Sequence, residues 1–288
     1  MSIAERAMVL NLQISFWSGC RLDKEASRKV TDEANAEDDA ARVNKHLIPK
    51  EALKPIANAA GAVRAHFYTK TLPWKDNGDR LLTRSMYMKF IEEHEALAAR
   101  FRAAVQIFVD RDYPAAVDQA SFRMGGLFNL NDYPAPHTIQ RRFHINIDVD
   151  AVTEASDFRV QMGADEIDDI KSSMTKAMED RISRALYDLW TRLHTTVEAI
   201  AGRLDDEDKV FRKTTLTNLE ELVDMLPGLN ITDDQELEQI RQQIKLTLTG
   251  HDPQTLRKDK AARATVVGDA KRIMETMAGF MNAFNKEG

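Results

Sequence analysis

The sequence predicts a mainly helical α+β fold with a small antiparallel sheet of about three strands, and it argues against an OB barrel. Three observations carry this. Residues 9–17 and 143–149 alternate apolar and polar side chains with a period of two, as half-buried strands do. From Ile167 to Ile200 apolar residues recur at spacings of three and four, the signature of one long helix. Only 12 Gly and 8 Pro occur in 288 residues, so long loops should be few.

In chain order, Leu10, Leu12, Ile14 and Phe16 point one way and Asn11, Gln13 and Ser15 the other, until Ser18-Gly19 ends the first strand. Residues 22–47 read as helical with an acidic middle. Pro49-Lys50 opens a helix to about residue 67, with Leu53, Ile56, Ala60 and Val63 at helical spacing. Pro73 and Gly78 make 70–80 a loop. Helices follow over about 85–109 and 115–122, then an extended loop over 124–140. Residues 143–149 form a second strand and 157–162 a third, paired through a turn near 151–156. The stripe from Ile167 to Ile200 implies a helix of about 38 residues, roughly 57 Å long. Helices are expected over about 215–226 and 233–248, separated by Pro227-Gly228, and over 261–284. Met174, Met178, Met274, Met277 and Met281 fall at helical spacing and are expected to pack.

Two regions are therefore expected, an α+β region over 1–162 and a helical region over 163–288. Charge divides in the same way. Residues 1–162 hold 22 Lys/Arg and 22 Asp/Glu, and residues 163–288 hold 18 and 24, so the whole net charge of −6 lies in the second region. The single Cys20 excludes an internal disulfide and suits a reducing compartment. No apolar leader follows a basic start, so no signal peptide is expected. No stretch approaches the roughly 20 apolar residues of a membrane helix.

Enzyme chemistry leaves little trace. No Gly-rich phosphate loop and no G-x-S-x-G elbow occurs. The seven His are scattered, and no cofactor or resident metal is expected. Asp148 and Asp150, two apart on a strand, either hold a metal as nuclease carboxylates do or are solvated residues running into a turn. Cys20 has no basic surroundings to activate it and reads as incidental.

Binding chemistry is stronger. Residues 42–102 hold twelve Lys/Arg against six Asp/Glu, interleaved with Phe67, Tyr68, Trp74, Tyr87, Phe90 and Phe101. Cations can follow phosphates while rings stack on unpaired bases, at roughly 1–3 kcal/mol per base. The candidate groove comprises Arg64, Tyr68, Lys70, Trp74, Lys75, Arg80, Arg84, Tyr87 and Lys89, extended by Arg21 and Arg28. Each has a second reading. Trp74 either stacks on a base or caps the core. Tyr68 and Tyr87 are contacts or core edge. Arg80 and Arg84 meet phosphate at a helix start near Leu81, or one of them pairs with Asp76 or Asp79. Arg21, Lys24 and Arg28 extend the groove or form a solvated helical face. At most one of Arg141 and Arg142 joins it, and Trp17 reads as core.

The segments Leu10-Asn11-Leu12-Gln13-Ile14-Ser15-Phe16-Trp17-Ser18-Gly19, Thr71-Leu72-Pro73-Trp74, Gly78-Asp79-Arg80-Leu81-Leu82 and Asp132-Tyr133-Pro134 resemble a phage family. It is the Drc-type family of single-stranded DNA-binding RNA polymerase cofactors, from podoviruses that carry a virion RNA polymerase. The resemblance covers roughly residues 8–160. It implies a single-stranded DNA-binding protein that helps a phage RNA polymerase use its promoters in the cytoplasm of the infected bacterial host.

The expectation is thus a non-catalytic single-stranded DNA-binding protein and polymerase cofactor, acting in transcription, with DNA replication as a further role. It is expected to self-associate through the long helix and the last helix. The acidic 163–288 region would face a polymerase and repel DNA. The alternative is a phage protein-interaction or assembly module that binds no DNA.

Overall fold

The computed structural model describes residues 2–157, 164–206 and 211–284. Among them are six strands: β1 Ala7–Ser15, β2 Cys20–Asp23, β3 Val43–His46, β4 Leu72–Pro73, β5 Arg80–Thr83 and β6 His144–Ala151. One sheet has the order β4-β5-β1-β6, and the other pairs β2 with β3. Seven longer helices account for most of the remaining chain: α1 Lys24–Glu33, α2 Lys50–Lys70, α3 Tyr87–Ile107, α4 Ala164–Asp205, α5 Lys213–Leu229, α6 Gln235–Thr247 and α7 Lys260–Phe284. The expected class, mainly helical α+β with a small antiparallel sheet, is the observed one.

The chain divides into two compact units. One comprises Met1–Asn11, Tyr68–Phe90 and Val149–Gly288, the other Leu12–Phe67 and Ile91–Asp148. The boundary expected after residue 162 lies outside the described residues. The observed division groups Tyr68–Phe90 with the C-terminal helices.

In the first unit, α4 supplies the spine. Leu189, Leu193, Val197, Ile200 and Leu204 recur at three and four and are buried. Each such side chain contributes roughly 1.5–3 kcal/mol relative to exposure. Against them lie Ile273 and Met277 of α7, Leu219 and Leu226 of α5, and Ile244 of α6. Trp190 stacks on Phe280 with ring centres 5.3 Å apart. Arg263 donates to the Leu204 carbonyl at 2.7 Å, satisfying an orphan acceptor at the end of α4. Val9, Leu72, Trp74 and Leu81 from the strands complete this core. Antiparallel pairing sets Val9 opposite Leu81 and Leu72 opposite Leu81.

The second unit is built on Trp17, Ile48, Leu53, Ile56, Phe101, Phe108, Tyr113 and Phe143. The Trp17 and Tyr113 rings meet edge to face at 5.7 Å, so Trp17 is core as expected. Gly19 has φ +65°, and a Cβ there would meet Ile48 Cγ1 at 2.9 Å, so the turn after β1 requires glycine. The Tyr113 hydroxyl donates to the Pro134 carbonyl at 2.6 Å, and burial pushes its pKa up to about 12.

Several expected elements are corrected. The helix over 22–47 is only α1. Asp23 caps it by accepting from Ala26 N at 3.0 Å, Asn35 turns left-handed at φ +50°, and the chain returns as β3. The acidic run Glu37-Asp38-Asp39 repels itself in a helix, and Lys45 between Asp23 (3.2 Å) and Asp132 (2.6 Å) anchors the β2–β3 pair instead. The expected 70–80 loop includes the two residues of β4 and leads into β5. The expected 124–140 loop contains short 3-10 turns and a helical turn over Pro136–Gln140. Pro227 does not stop α5, which runs two residues further to Leu229. The Gly228 carbonyl there accepts from Thr83 Oγ1 at 2.6 Å. Of the expected third strand, Asp157 sits in a 3-10 turn, and 158–162 lie outside the described residues.

Candidate nucleic-acid interface

The β4–β5 hairpin is organised by Asp79. Its carboxylate accepts from Asn11 Nδ2 at 2.9 Å and Asn77 Nδ2 at 3.2 Å, and pairs with Lys75 at 3.3 Å. Its carbonyl accepts from the Trp74 and Lys75 amides. Burial raises the Asp79 pKa, but those hydrogen bonds outweigh it and hold the carboxyl below its usual range. Gly78, at φ +93°, supplies the left-handed residue that the turn needs.

Trp74 is 4% exposed and belongs to the first unit's core. Its ring is therefore not a stacking platform, which corrects that reading in favour of the core cap. The Arg181 guanidinium lies 5.9 Å from its ring centre. Arg80 sits on β5 rather than at a helix start, because the 3-10 turn Arg84–Met86 and then α3 begin beyond it. It bonds Thr71 through Nε to Oγ1 at 2.7 Å and through Nη2 to the carbonyl at 2.8 Å. Burial, then the nearby Arg192, lowers its pKa to about 10, so it stays charged at neutral pH. Neither Asp76 nor Asp79 pairs with it, since Arg184 meets Asp76 and Lys75 meets Asp79.

Tyr68 is 51% exposed, and the Arg80 Cζ lies 4.8 Å from its ring centre. Lys75, Arg84 and Lys89 are exposed, while Lys70 and Tyr87 are half-buried. In the other unit, Arg64 is exposed on α2 and Arg28 on α1. Arg21 is on β2, not on a helical face with Lys24 and Arg28, and it pairs with buried Asp132 at 3.0 Å. Arg141 and Arg142 are exposed and precede β6. Cys20 Sγ lies 3.2 Å from His46 Nδ1 across the β2–β3 pair.

Sequence reasoning missed the opposite wall. Arg181, Arg184, Asp188 and Arg192 share one face of α4 at spacings of three and four. Arg192 donates to the Thr69 and Thr71 carbonyls, each at 2.9 Å, and pairs with Asp188 at 2.7 Å. Arg184 reaches Asp76 at 3.4 Å. The face from Arg181 to Arg192 covers about 16 Å of helix. It places arginines of the acidic 163–288 region against the β4–β5 hairpin. The signal was present in the spacing of these arginines on a correctly anticipated helix, but the regional net charge hid it.

A cleft of about 530 Å³ adjoins the seam, lined in part by Trp74, Lys75, Asp150, Met174, Ala177 and Arg181. Among the described residues, no three His, Cys, Asp or Glu side chains gather as a metal site requires. No helix there is long and apolar enough to cross a membrane. No family model, curated protein or solved structure matches this chain. Fold and site define a mainly helical α+β protein with a cationic seam flanked by an exposed tyrosine.

Proposed function

We propose that the protein is a non-catalytic, sequence-tolerant single-stranded DNA-binding protein. The half-exposed Tyr68 ring beside the Arg80 guanidinium carries this reading. An aromatic face among cations suits unpaired bases joined by phosphates, and stacking tolerates any base. Lys75, Arg181 and Arg184 line the same seam and supply charge that phosphate oxygens require, while Arg192 is held by Asp188 and the Thr69 and Thr71 carbonyls. The resemblance of residues 10–19, 71–74, 78–82 and 132–134 to the phage cofactor family extends the proposal. On that basis the protein serves a phage RNA polymerase in transcription, and DNA replication as a further role, in the infected bacterial cytoplasm. Self-association through α4 and α7 is part of the proposal. At the edge of that helix pair Tyr187 is exposed and Met281 and Phe284 are partly buried, which favours a further copy there.

Fluorescence anisotropy with labelled oligo-dT and its duplex, over a salt series, tests the reading. The expected result is strong single-strand preference with a log–log salt slope of about −0.7 per phosphate neutralised. Equal binding to duplex, or no binding, overturns it. One observation favours a second reading, a protein-interaction or assembly module. Phe122, in the short helix Ala120–Met124, is 95% exposed and Leu130, in the 3-10 turn Leu130–Asp132, 64%, and exposed apolar side chains suit a protein partner.

A further inference from the structure

Resting on the strand binding proposed above, we propose that the cleft beside the β4–β5 hairpin receives one unstacked nucleobase of the bound strand. Its rim favours a base with an exocyclic amino group over thymine. The cleft lies wholly within the first unit, bounded by the hairpin, the end of β6 and α4. Its volume of about 530 Å³ falls within the range of pockets that bury small organic ligands. Met174 and Ala177 give it an apolar wall for the face of a base. Lys75 and Arg181 give it positive charge for the flanking phosphate.

The discriminating group is Asp150. The alternation of β6 had made Asp148 and Asp150 look like a pair, but they have separate fates. Asp148 accepts from Gln13 Nε2 and Asn146 Nδ2, each at 2.7 Å. Asp150 is exposed and lines the cleft. Asp79, the other carboxylate there, is engaged by Asn11, Asn77 and Lys75. An ionised carboxylate only accepts hydrogen bonds. Cytosine N4, adenine N6 and guanine N2 offer amino donors, whereas thymine offers O4 as an acceptor. The one ring N–H of thymine is flanked by two carbonyl oxygens that repel a carboxylate.

The test is competition anisotropy with oligo-dC and oligo-dT above neutral pH, where oligo-dC stays unpaired, on the full chain and its Asp150→Ala variant. The wild type is expected to prefer oligo-dC by about fivefold, the lower end of one base-edge contact. Asp150→Ala should bring the two within about twofold by weakening oligo-dC alone, and as an exposed residue it should leave the unfolding midpoint unchanged. Tight but equal binding of both strands by the wild type overturns the pocket while leaving strand binding intact. So does a cytosine preference that survives Asp150→Ala. Binding of neither strand overturns the function itself and the pocket with it. Free dCMP should compete poorly, lacking neighbouring phosphates for the arginine face. Competition equal to that of oligo-dC, phosphate for phosphate, would make the cleft a mononucleotide site and overturn the proposal.

Discussion

The Arg80 guanidinium lies 4.8 Å from the centre of the Tyr68 ring while its nitrogens bond Thr71. Arg80 is thus a support that fixes the ring and the start of the hairpin, and Tyr68 is the exposed member of the pair. The consequence is a division of labour among residues that look equivalent in sequence.

Tyr68→Ala should weaken oligo-dT binding by about 1–3 kcal/mol, the value of one stacked base. Tyr68→Phe should retain most of the affinity, because stacking needs the ring and not the hydroxyl. Anisotropy titration with thermal melts in parallel separates the effect from unfolding. Equal losses in both variants would remove stacking from the account.

Trp74→Ala should act on stability. Removing a buried Trp costs about 3–5 kcal/mol, and Trp74 is 4% exposed. Urea denaturation should show a lower midpoint. A stable variant with selectively lost DNA affinity would return Trp74 to the interface.

Arg184→Gln should leave the melting temperature almost unchanged, because its partner Asp76 is almost fully exposed and such surface pairs contribute about 0–1 kcal/mol. The magnitude of its salt slope for oligo-dT should fall by about 0.7, one phosphate contact. An unchanged slope would exclude the α4 face from the interface.

Lys45→Met should lower the unfolding midpoint, since among the described residues buried Asp132 keeps only Arg21 and half-buried Asp23 loses its cation. Chemical denaturation measures the loss. A neutral result would mean that these carboxylates find other partners.

Glu238 gives a pH dependence with a defined sign. Hydrogen bonds from Arg241 at 2.6 and 2.7 Å lower its pKa from 4.5 to about 2. A carboxyl with a depressed folded pKa stabilises above its unfolded value and loses that contribution as pH falls through the folded one. Unfolding free energy should therefore decline between pH 4.5 and about 2 more steeply in wild type than in Glu238→Gln. Parallel curves would show that the pair adds nothing.

Local patterns were legible where one periodicity ran uninterrupted. The α4 stripe could be read because burial on one face forces spacing of three and four on the residues themselves, and β1 and β6 because apolar and polar residues alternate along them. The β2–β3 pair and β4 could not. They are two to four residues long, and what makes them strands is a partner rather than a pattern: Lys45 is held by Asp132, and Leu72-Pro73 pair with Leu81 and Arg80. Proximity of Tyr68 to Trp74 in sequence likewise hid their opposite exposure.

The sequence by itself determined the mainly helical α+β class, the long helix and the aromatic–cationic composition of 64–89, because these follow from local spacing and residue type. Only the tertiary structure decided which of those side chains meet solvent, and that arginines from the acidic region line the same seam. Burial and charge pairing depend on neighbours more than a hundred residues away, as Arg192 on the Thr69 carbonyl demonstrates, and a net charge summed along the chain does not register which face each charge occupies.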